Sequence, residues 1–427
     1  MRLKLRILPL FILLTLMLCA CAGLPDSVTI LEGTPLSAKE AEAVHIALSE
    51  NSVLTENSQS ANQKEDNTLI TNPTPSGETT PVPEVSPSPE ITPAPATAPS
   101  ETVTPAPTQA PAPTTAPKPI APKDSTPVGI HGALRVDGSS LVDQNGDPFQ
   151  LYGMSTHGIG WFPQYVNKDS FRTLRDDWNT NCVRIAMYTA EYNGYCTGGN
   201  KDDLKTLVQN GVDYATDLGM YVIIDWHILQ DQDPNVYKSD AIDFFQEMSS
   251  TYADYDNVLY EICNEPNGYA TWSSVKSYAE EVIPVIREND SDAIILVGSP
   301  TWSQNIDQAA SDPLDYDNIM YTLHFYAGTH KDDLRNRLDT CVSNGLPVFI
   351  SEFGICDASG NGALDYDSAG KWMELIEKHN VSFFCWNLAN KSESSSVFKA
   401  NSSRTSDWTE DDLNESGKWF RDYCRSK

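Results

Sequence analysis

The sequence predicts a (β/α)₈ barrel over residues 128–427, and three observations carry that prediction. Eight short apolar runs recur with starts 25 to 39 residues apart, about the length of one strand-loop-helix-loop unit. Amphipathic stretches lie between them, and no GxGxxG or phosphate loop is present to seed the competing architecture, an open doubly wound sheet. Polar and aromatic residues cluster where the runs stop, as they do at the rim of a barrel.

The runs are residues 151–155, 182–185, 221–225, 258–263, 294–297, 319–323, 348–351 and 382–386. Each is short, continuously apolar and followed by turn-formers, the pattern of a strand covered on both faces. Helical patterns fall at 204–218, 241–252, 275–288, 332–342 and 366–379, and a last helix at 411–423 closes the array. Ahead of the first run, residues 133–136 and 141–149 read as a hairpin around Asp143-Gln144-Asn145-Gly146, placed to plug the bottom of the barrel.

The first third of the chain is read differently. Arg2, Lys4 and Arg6 precede an apolar run over 7–18, the layout of a signal peptide and short for a membrane span. Leu18-Cys19-Ala20-Cys21 looks like a bacterial lipobox, which makes residues 1–20 a lipoprotein signal peptide and Cys21 the lipidated residue. Ordinary secretion with cleavage nearby is the alternative. Residues 22–70 are polar and acidic and read as disordered. Residues 71–127 are Pro, Thr and Ala-rich and hold 17 of the 28 prolines, too many for a packed element. Extended at about 3.1 Å per residue, such a linker reaches roughly 180 Å. The expectation is an exported lipoprotein whose domain stands off the extracellular face of a bacterial membrane.

A formal charge of −30 argues against nucleic acid and anionic lipid as partners and suits a neutral substrate. Seven cysteines follow Cys21, an odd number without CxxC pairs, which argues against a zinc site or a dense disulfide framework. Cys182, Cys263 and Cys385 lie in apolar runs and are expected as buried free thiols. No cofactor or metal is expected, and a monomer is.

Two glutamates carry the chemistry. Glu265 follows the fourth run in Ile262-Cys263-Asn264-Glu265-Pro266, and Glu352 ends the seventh in Phe349-Ile350-Ser351-Glu352-Phe353-Gly354. A charge at the end of a buried strand is costly without a task. Two of them at one rim suit a reaction in which one carboxyl protonates and the other attacks, as in glycosidic bond cleavage. The other strand ends supply His157, Arg184, Trp226, His227, Asn264, Trp302, His324, Tyr326 and Trp386. Arg184 inside a strand has almost no bland reading, because an unpaired buried guanidinium is costly.

With these residues in place, the domain resembles glycoside hydrolase family 5, the clan A retaining (β/α)₈ hydrolases, and most closely its bacterial endo-β-1,4-glucanases. The resemblance runs from about Gly132 to Ser426. It rests on Leu151-Tyr152-Gly153-Met154-Ser155-Thr156-His157-Gly158, Val183-Arg184-Ile185-Ala186-Met187-Tyr188 and Asp225-Trp226-His227. Further on it rests on Tyr260-Glu261-Ile262-Cys263-Asn264-Glu265-Pro266, His324-Phe325-Tyr326-Ala327-Gly328-Thr329-His330 and Cys385-Trp386-Asn387-Leu388 with Lys391 and Glu393. Each stretch alone is weak; their order and spacing are specific.

The resemblance implies Glu265 as acid/base and Glu352 as nucleophile, with carboxyls about 5–5.5 Å apart. Arg184 and Tyr326 are then expected beside Glu352, lowering its pKa, and Glu265 should have the higher pKa of the two. Asn264 is expected on a sugar 2-hydroxyl, His227 and His324 on sugar hydroxyls and the carboxylates, and Trp386 beneath the sugar at the cleavage point. Trp161, Trp302, Tyr188, His157, His330, Lys391 and Glu393 match substrate-cleft positions. The implied substrate is a β-glucan polysaccharide or oligosaccharide. Trp408 and Trp419 read as packing.

Three competing readings remain at this point. The same machinery could serve mannan, xyloglucan or mixed-linkage glucan. A surface carbohydrate-binding protein without catalysis would be favoured if either glutamate were replaced, and both are present. His157, His227 and His324 as metal ligands would call for an HxH pair after the first strand, where a single histidine stands.

Overall fold

The computed structural model describes residues 125–427; the lipobox, residues 22–70 and nearly all of the 71–127 linker fall outside the described residues. The chain divides into two units, 1–106 and 107–427, and every described residue belongs to the second. Regular structure begins with α1 (Pro127–His131), capped by Thr126, whose hydroxyl accepts from the Gly129 N–H. Pro127, read as the last linker residue, is thus the first residue of a helix, where its missing N–H costs nothing.

A hairpin follows, β1 (Arg135–Asp137) and β2 (Ser140–Val142). Asp137 pairs with Ser140, so the connecting turn is Gly138-Ser139, with Gly138 at φ 61°. The expected turn at Asp143–Gly146 exists and sets Val142 opposite Pro148 in an antiparallel bridge, though regular strand over 141–149 stops at Val142 and the turn joining β1 to β2 is the earlier one. Two short turns outcompete one long loop because Gly138 supplies the positive φ that a two-residue hairpin needs. Leu134 and Leu141 pack with Leu151, Tyr221, Leu259, Met320, Phe349 and Phe384 from the early parts of the barrel strands. The hairpin therefore closes the N-terminal mouth, as expected of a plug.

The barrel strands are β3 (Tyr152–Thr156), β4 (Cys182–Tyr188), β5 (Tyr221–His227), β6 (Val258–Glu261), β7 (Ile295–Val297), β8 (Ile319–Tyr326), β9 (Val348–Gly354) and β10 (Phe383–Leu388). They close in the order β10-β3-β4-β5-β6-β7-β8-β9, all parallel. Apart from half-buried Tyr152 their residues are buried, which is why they read as unbroken apolar runs rather than alternating ones.

The outer ring comprises α2 (Lys168–Asp176), α3 (Lys201–Asp217), α4 (Lys238–Tyr252), α5 (Trp272–Asn289), α6 (Ile306–Ser311), α7 (Asp332–Ser343), α8 (Tyr366–His379) and α9 (Glu415–Arg425). Caps set several boundaries. Asn200 accepts from the Asp202 and Asp203 N–H groups, Thr271 and Ser274 form a capping box, and Asp365 accepts from Ser368. Two helices escaped the sequence pattern: α2 has only Phe171 and Leu174 on its apolar side, and α6 is six residues long. Strand faces turned outward meet these helices in the main core, which includes Trp178, Trp226, Trp372 and Trp408. All seven cysteines of the described residues are free, Cys196 half-buried and the others buried.

Candidate active site

Arg184 sits on β4, fully buried inside the barrel, and the site is built around it. Its Nε–H donates to Glu261 Oε2 at 2.7 Å, and Nη1 donates to Ser155 Oγ at 3.0 Å. Nη2 donates to Asn264 Oδ1 at 2.7 Å and lies 3.0 Å from Asp225 Oδ2. Nη1 also lies 3.5 Å from Glu352 Oε2. Register explains the gathering. Ser155 is opposite Arg184 across β3 and β4, Asp225 opposite Glu261 across β5 and β6, and His324 opposite Glu352 across β8 and β9. Burial works against the guanidinium's charge, but Asp225, Glu261 and Glu352 outweigh it and hold Arg184 charged.

The two glutamates meet at the C-terminal rim. One oxygen of Glu265, one of Glu352 and a ring nitrogen of His324 lie within 4.8 Å of one another. That spacing is on the close side of the separations found between paired catalytic carboxyls. Glu352 Oε1 accepts from the Tyr326 hydroxyl at 2.8 Å, while Oε2 is buried without a hydrogen-bond partner. Glu265 Oε1 lies 2.9 Å from His324 Nδ1. The spacing of the three atoms would suit a cation, yet each already has a protein partner for hydrogen bonding or charge, the arrangement of groups that share protons.

Burial raises both carboxyls. Glu265 is pushed up to about 8, with Arg184 opposing and Asp225 and Glu261 adding to the rise. Glu352 is pushed up to about 7 by burial and by Glu265, against His324, Arg184 and the Tyr326 hydrogen bond. The expected order therefore holds, Glu265 above Glu352. Arg184 and Tyr326 do lower Glu352, as expected, but burial and the neighbouring carboxyl outweigh them. Burial thus favours the protonated form of both carboxyls, and of Glu265 the more.

His227 and His324 both lie among the buried groups of the site and bond within the protein. His227 lies 2.6 Å from Asp225 Oδ2 through Nδ1, and its Nε2 accepts from Asn264 Nδ2 at 3.2 Å. His324 faces Glu265 through Nδ1 and Ser351 Oγ through Nε2, at 2.8 Å. Neither has a nitrogen left for a sugar hydroxyl, so that expectation gives way to contacts within the protein. Asn264 is likewise buried, its amide nitrogen donating to His227 and to the Ile228 carbonyl and its oxygen accepting from Arg184. A sugar hydroxyl reaches it only in exchange for one of those contacts.

The aromatic residues divide by position. Trp386 stacks on His227, with centroids 5.1 Å apart at 17°, and His157 and Tyr188 pack against it. His157 accepts from the Gly158 N–H and is buried within this cluster. Trp161 is 40 % exposed and Trp302 46 %, so neither is a core residue. Trp161 follows β3 and Trp302 follows β7, strands opposite each other in the barrel order. Lys391 lies over the Trp161 ring at 5.1 Å and pairs with Glu393 at 2.8 Å. Glu393 in turn accepts from Asn387. His330 accepts from the Tyr326 N–H at 2.8 Å, so it braces Tyr326.

Trp302 stands in a turn where Thr301, Trp302 and Ser303 have φ of 62°, 52° and 54°. Left-handed backbone costs a non-glycine residue roughly 1–2 kcal/mol. The turn is fastened by Trp302 N–H to the Pro266 carbonyl and by Ser303 Oγ to the Asn264 carbonyl, so it is tied to the segment that carries Glu265.

Asp225, Glu261 and Ser351 belong to the site's floor and were not singled out by sequence reasoning. The signal was available. Asp225 and Glu261 interrupt apolar strand runs as Arg184 does, and a buried cation needs buried anions.

A parallel eight-stranded barrel with two carboxyls this close at its C-terminal rim defines a glycoside hydrolase. The sequence model for Cellulase (glycosyl hydrolase family 5) matches residues 142–392. Endoglucanase A of Butyrivibrio fibrisolvens is 53 % identical over 295 residues, covering 68 % of each chain. An endoglucanase of Clostridium saccharobutylicum is 50 % identical over 293 residues, 68 % of this chain and 64 % of that one. Among solved structures, the catalytic domain of Thermobifida fusca endoglucanase Cel5A in complex with cellotetraose has a TM-score of 0.68 at 39 % identity, over 70 % of this chain and 100 % of that one. The chain belongs to glycosyl hydrolase family 5. It spans 68 %, 64 % and 57 % of the length of three of its curated relatives.

Proposed function

We propose that this protein is a retaining endo-β-1,4-glucanase that hydrolyses internal bonds of cellulose and related β-glucans in two steps. The observation that carries the proposal is the meeting of Glu265 and Glu352 at the C-terminal rim, with an oxygen of each within 4.8 Å of the other and Glu352 oriented by Tyr326 and Arg184. A pair so placed suits one carboxyl as acid and the other as nucleophile. Relatives named endoglucanase and a cellotetraose complex among similar structures support the substrate class.

In the first step a Glu352 carboxylate oxygen bonds to the anomeric carbon as the glycosidic C–O bond breaks, and Glu265 gives its proton to the departing oxygen. Tyr326 and Arg184 hold Glu352 in line and favour its ionised form. In the second step Glu265, now a carboxylate, takes a proton from water as that water attacks the anomeric carbon and releases Glu352. Trp386 serves as the floor beneath the reacting sugar. Trp161, Lys391 and Glu393 on one rim and Trp302 on the other hold the chain, with His157, Tyr188, His227, His330 and Asn264 fixing the walls.

The same proposal includes placement. Cys21 carries a lipid, residues 71–127 form a stalk, and a monomeric catalytic domain works outside the cell, with secretion as the alternative.

The test is reducing-sugar release by the full chain from carboxymethyl cellulose, glucomannan, xyloglucan and mixed-linkage β-glucan, with Glu352→Ala beside it. Fastest cleavage of β-1,4-glucans, abolished by the substitution, is expected. Preference for mannan or xyloglucan overturns the substrate. No release leaves a carbohydrate-binding protein.

A further inference from the structure

Beneath Glu265 runs a buried chain of hydrogen bonds that the two-step mechanism does not use. Glu265 Oε1 meets His324 Nδ1 at 2.9 Å, His324 Nε2 meets Ser351 Oγ at 2.8 Å, and Ser351 Oγ donates to Glu261 Oε1 at 2.7 Å. Glu261 Oε2 then accepts from Arg184 Nε, and Arg184 Nη1 returns to Glu352. Ser351 and Glu261 are fully buried.

Hydrogen counting fixes the direction of this chain. Both Glu261 oxygens accept, Oε2 from Arg184 Nε at 2.7 Å and Oε1 from Ser351 Oγ at 2.7 Å, so neither carries a hydrogen, even though burial and Asp225 raise its pKa against Arg184. The single Ser351 proton therefore goes to Glu261, and Ser351 Oγ can only accept from His324. That places the histidine's proton on Nε2. A neutral imidazole has one N–H, so Nδ1 turns a lone pair toward Glu265. The facing Glu265 oxygen must bring the proton.

We propose that Glu261, acting through Ser351, selects the Nε2–H form of His324 and thereby keeps Glu265 in its acid form between turnovers. This rests on the reading of Glu265 as acid/base. Glu261 and Ser351 are positioning residues, acting through His324 without touching the sugar. The device serves both steps. In the resting enzyme the Glu265 proton bridges to Nδ1 until a glycosidic oxygen competes for it. Once that proton has left, the lone pair of Nδ1 faces a carboxylate, and their repulsion makes Glu265 a stronger base toward water.

The charged and titratable groups around the pair act consistently. Glu265 is influenced by Arg184 of β4, Asp225 of β5 and Glu261 of β6, and it in turn acts on Tyr326 of β8 and Glu352 of β9. His324 is influenced by Glu352, Glu261 and Arg184, and it acts on His227. Burial holds His324 neutral, down to about 4, as the assignment requires.

The test is the pH dependence of kcat/KM for the full chain on a chromogenic cello-oligosaccharide. In Ser351→Ala, and in Glu261→Gln, the alkaline limb should move down by about one pH unit, since His324 becomes free to donate to ionised Glu265. Ser351→Thr, which restores a hydroxyl, should return the limb to the wild-type position. Nitrogen-15 NMR of the imidazoles should show the His324 proton on Nε2 in the wild type and on Nδ1 in Ser351→Ala, a readout that survives loss of activity. Unmoved limbs with kcat lowered equally at every pH would reduce the chain to a structural role. A wild-type His324 protonated on Nδ1 would overturn the proposal outright. Glu265→Gln separates the two readings: hydrolysis at the wild-type rate would remove the acid/base role itself.

Discussion

The Tyr326 hydroxyl donates to Glu352 Oε1 at 2.8 Å and leaves Oε2 facing only the Arg184 guanidinium, 3.5 Å away. One oxygen is thus held by a hydrogen bond and the other by a charge, which fixes the orientation of the carboxylate. The hydrogen bond also lowers the Glu352 pKa against burial. Tyr326→Phe removes it, so the pKa should rise, and the acid limb of the pH–rate profile should move to higher pH. A loss of about 1.4 kcal/mol corresponds to about tenfold in kcat. A profile that falls in height without moving its acid limb would contradict this account of Tyr326.

Arg184 is predicted to be irreplaceable even by lysine. Its fork serves Glu261, Ser155, Asn264, Asp225 and Glu352 at once, and an ammonium cannot span them. Arg184→Lys should cost about 3–5 kcal/mol of stability, because buried carboxylates lose their partner. Calorimetry checks this; a melting temperature within a degree of the wild type would refute it.

Glu265→Gln should stabilise the protein, and more so at higher pH. Burial raises the Glu265 pKa to about 8 from an ordinary 4.5, so the folded state holds a proton that the unfolded state releases between those values. Wild-type stability therefore falls as pH rises through that window, and the glutamine variant escapes this fall. The melting-temperature difference between variant and wild type should widen by a few degrees, on the order expected for 1–2 kcal/mol, from pH 5 to pH 8. A constant difference would show that Glu265 ionises as freely in the fold as out of it.

Trp161→Ala and Trp302→Ala should weaken substrate binding and leave the fold alone. Both rings are partly exposed, on opposite rims, and neither belongs to the main core. KM on a soluble β-glucan should rise about tenfold for each, with stability within about 0.5 kcal/mol of the wild type. A fall in kcat at unchanged KM would place these rings in the chemistry instead.

The barrel was legible because its strands are buried on both faces and interrupted only where the site needs charge. Strand starts at Cys182, Tyr221, Val258, Ile319 and Val348 fall where the apolar runs begin. The carboxyl pair was legible for the same reason, as charges ending such runs. What escaped was tertiary. Nothing local distinguishes Ser351 from any small strand residue, yet its neighbours on other strands give its hydroxyl a direction. The reach of His227 and His324 toward protein rather than sugar depends on which residues stand opposite, a matter of barrel register. The Asp143–Gly146 turn was legible, but the tighter Gly138-Ser139 turn that joins β1 to β2 was not, because two turn-formers so close together read as one hairpin.

The measurement that tests the central claim most directly is trapping of the glycosyl-enzyme. The full chain would be treated with a 2-deoxy-2-fluoro cello-oligosaccharide carrying an activated leaving group, then digested and analysed by mass spectrometry. A stable adduct on Glu352, absent from Glu352→Ala, is the predicted result. An adduct on another residue, or turnover with inversion at the anomeric carbon and no adduct at all, would contradict the account of Glu352 as the nucleophile.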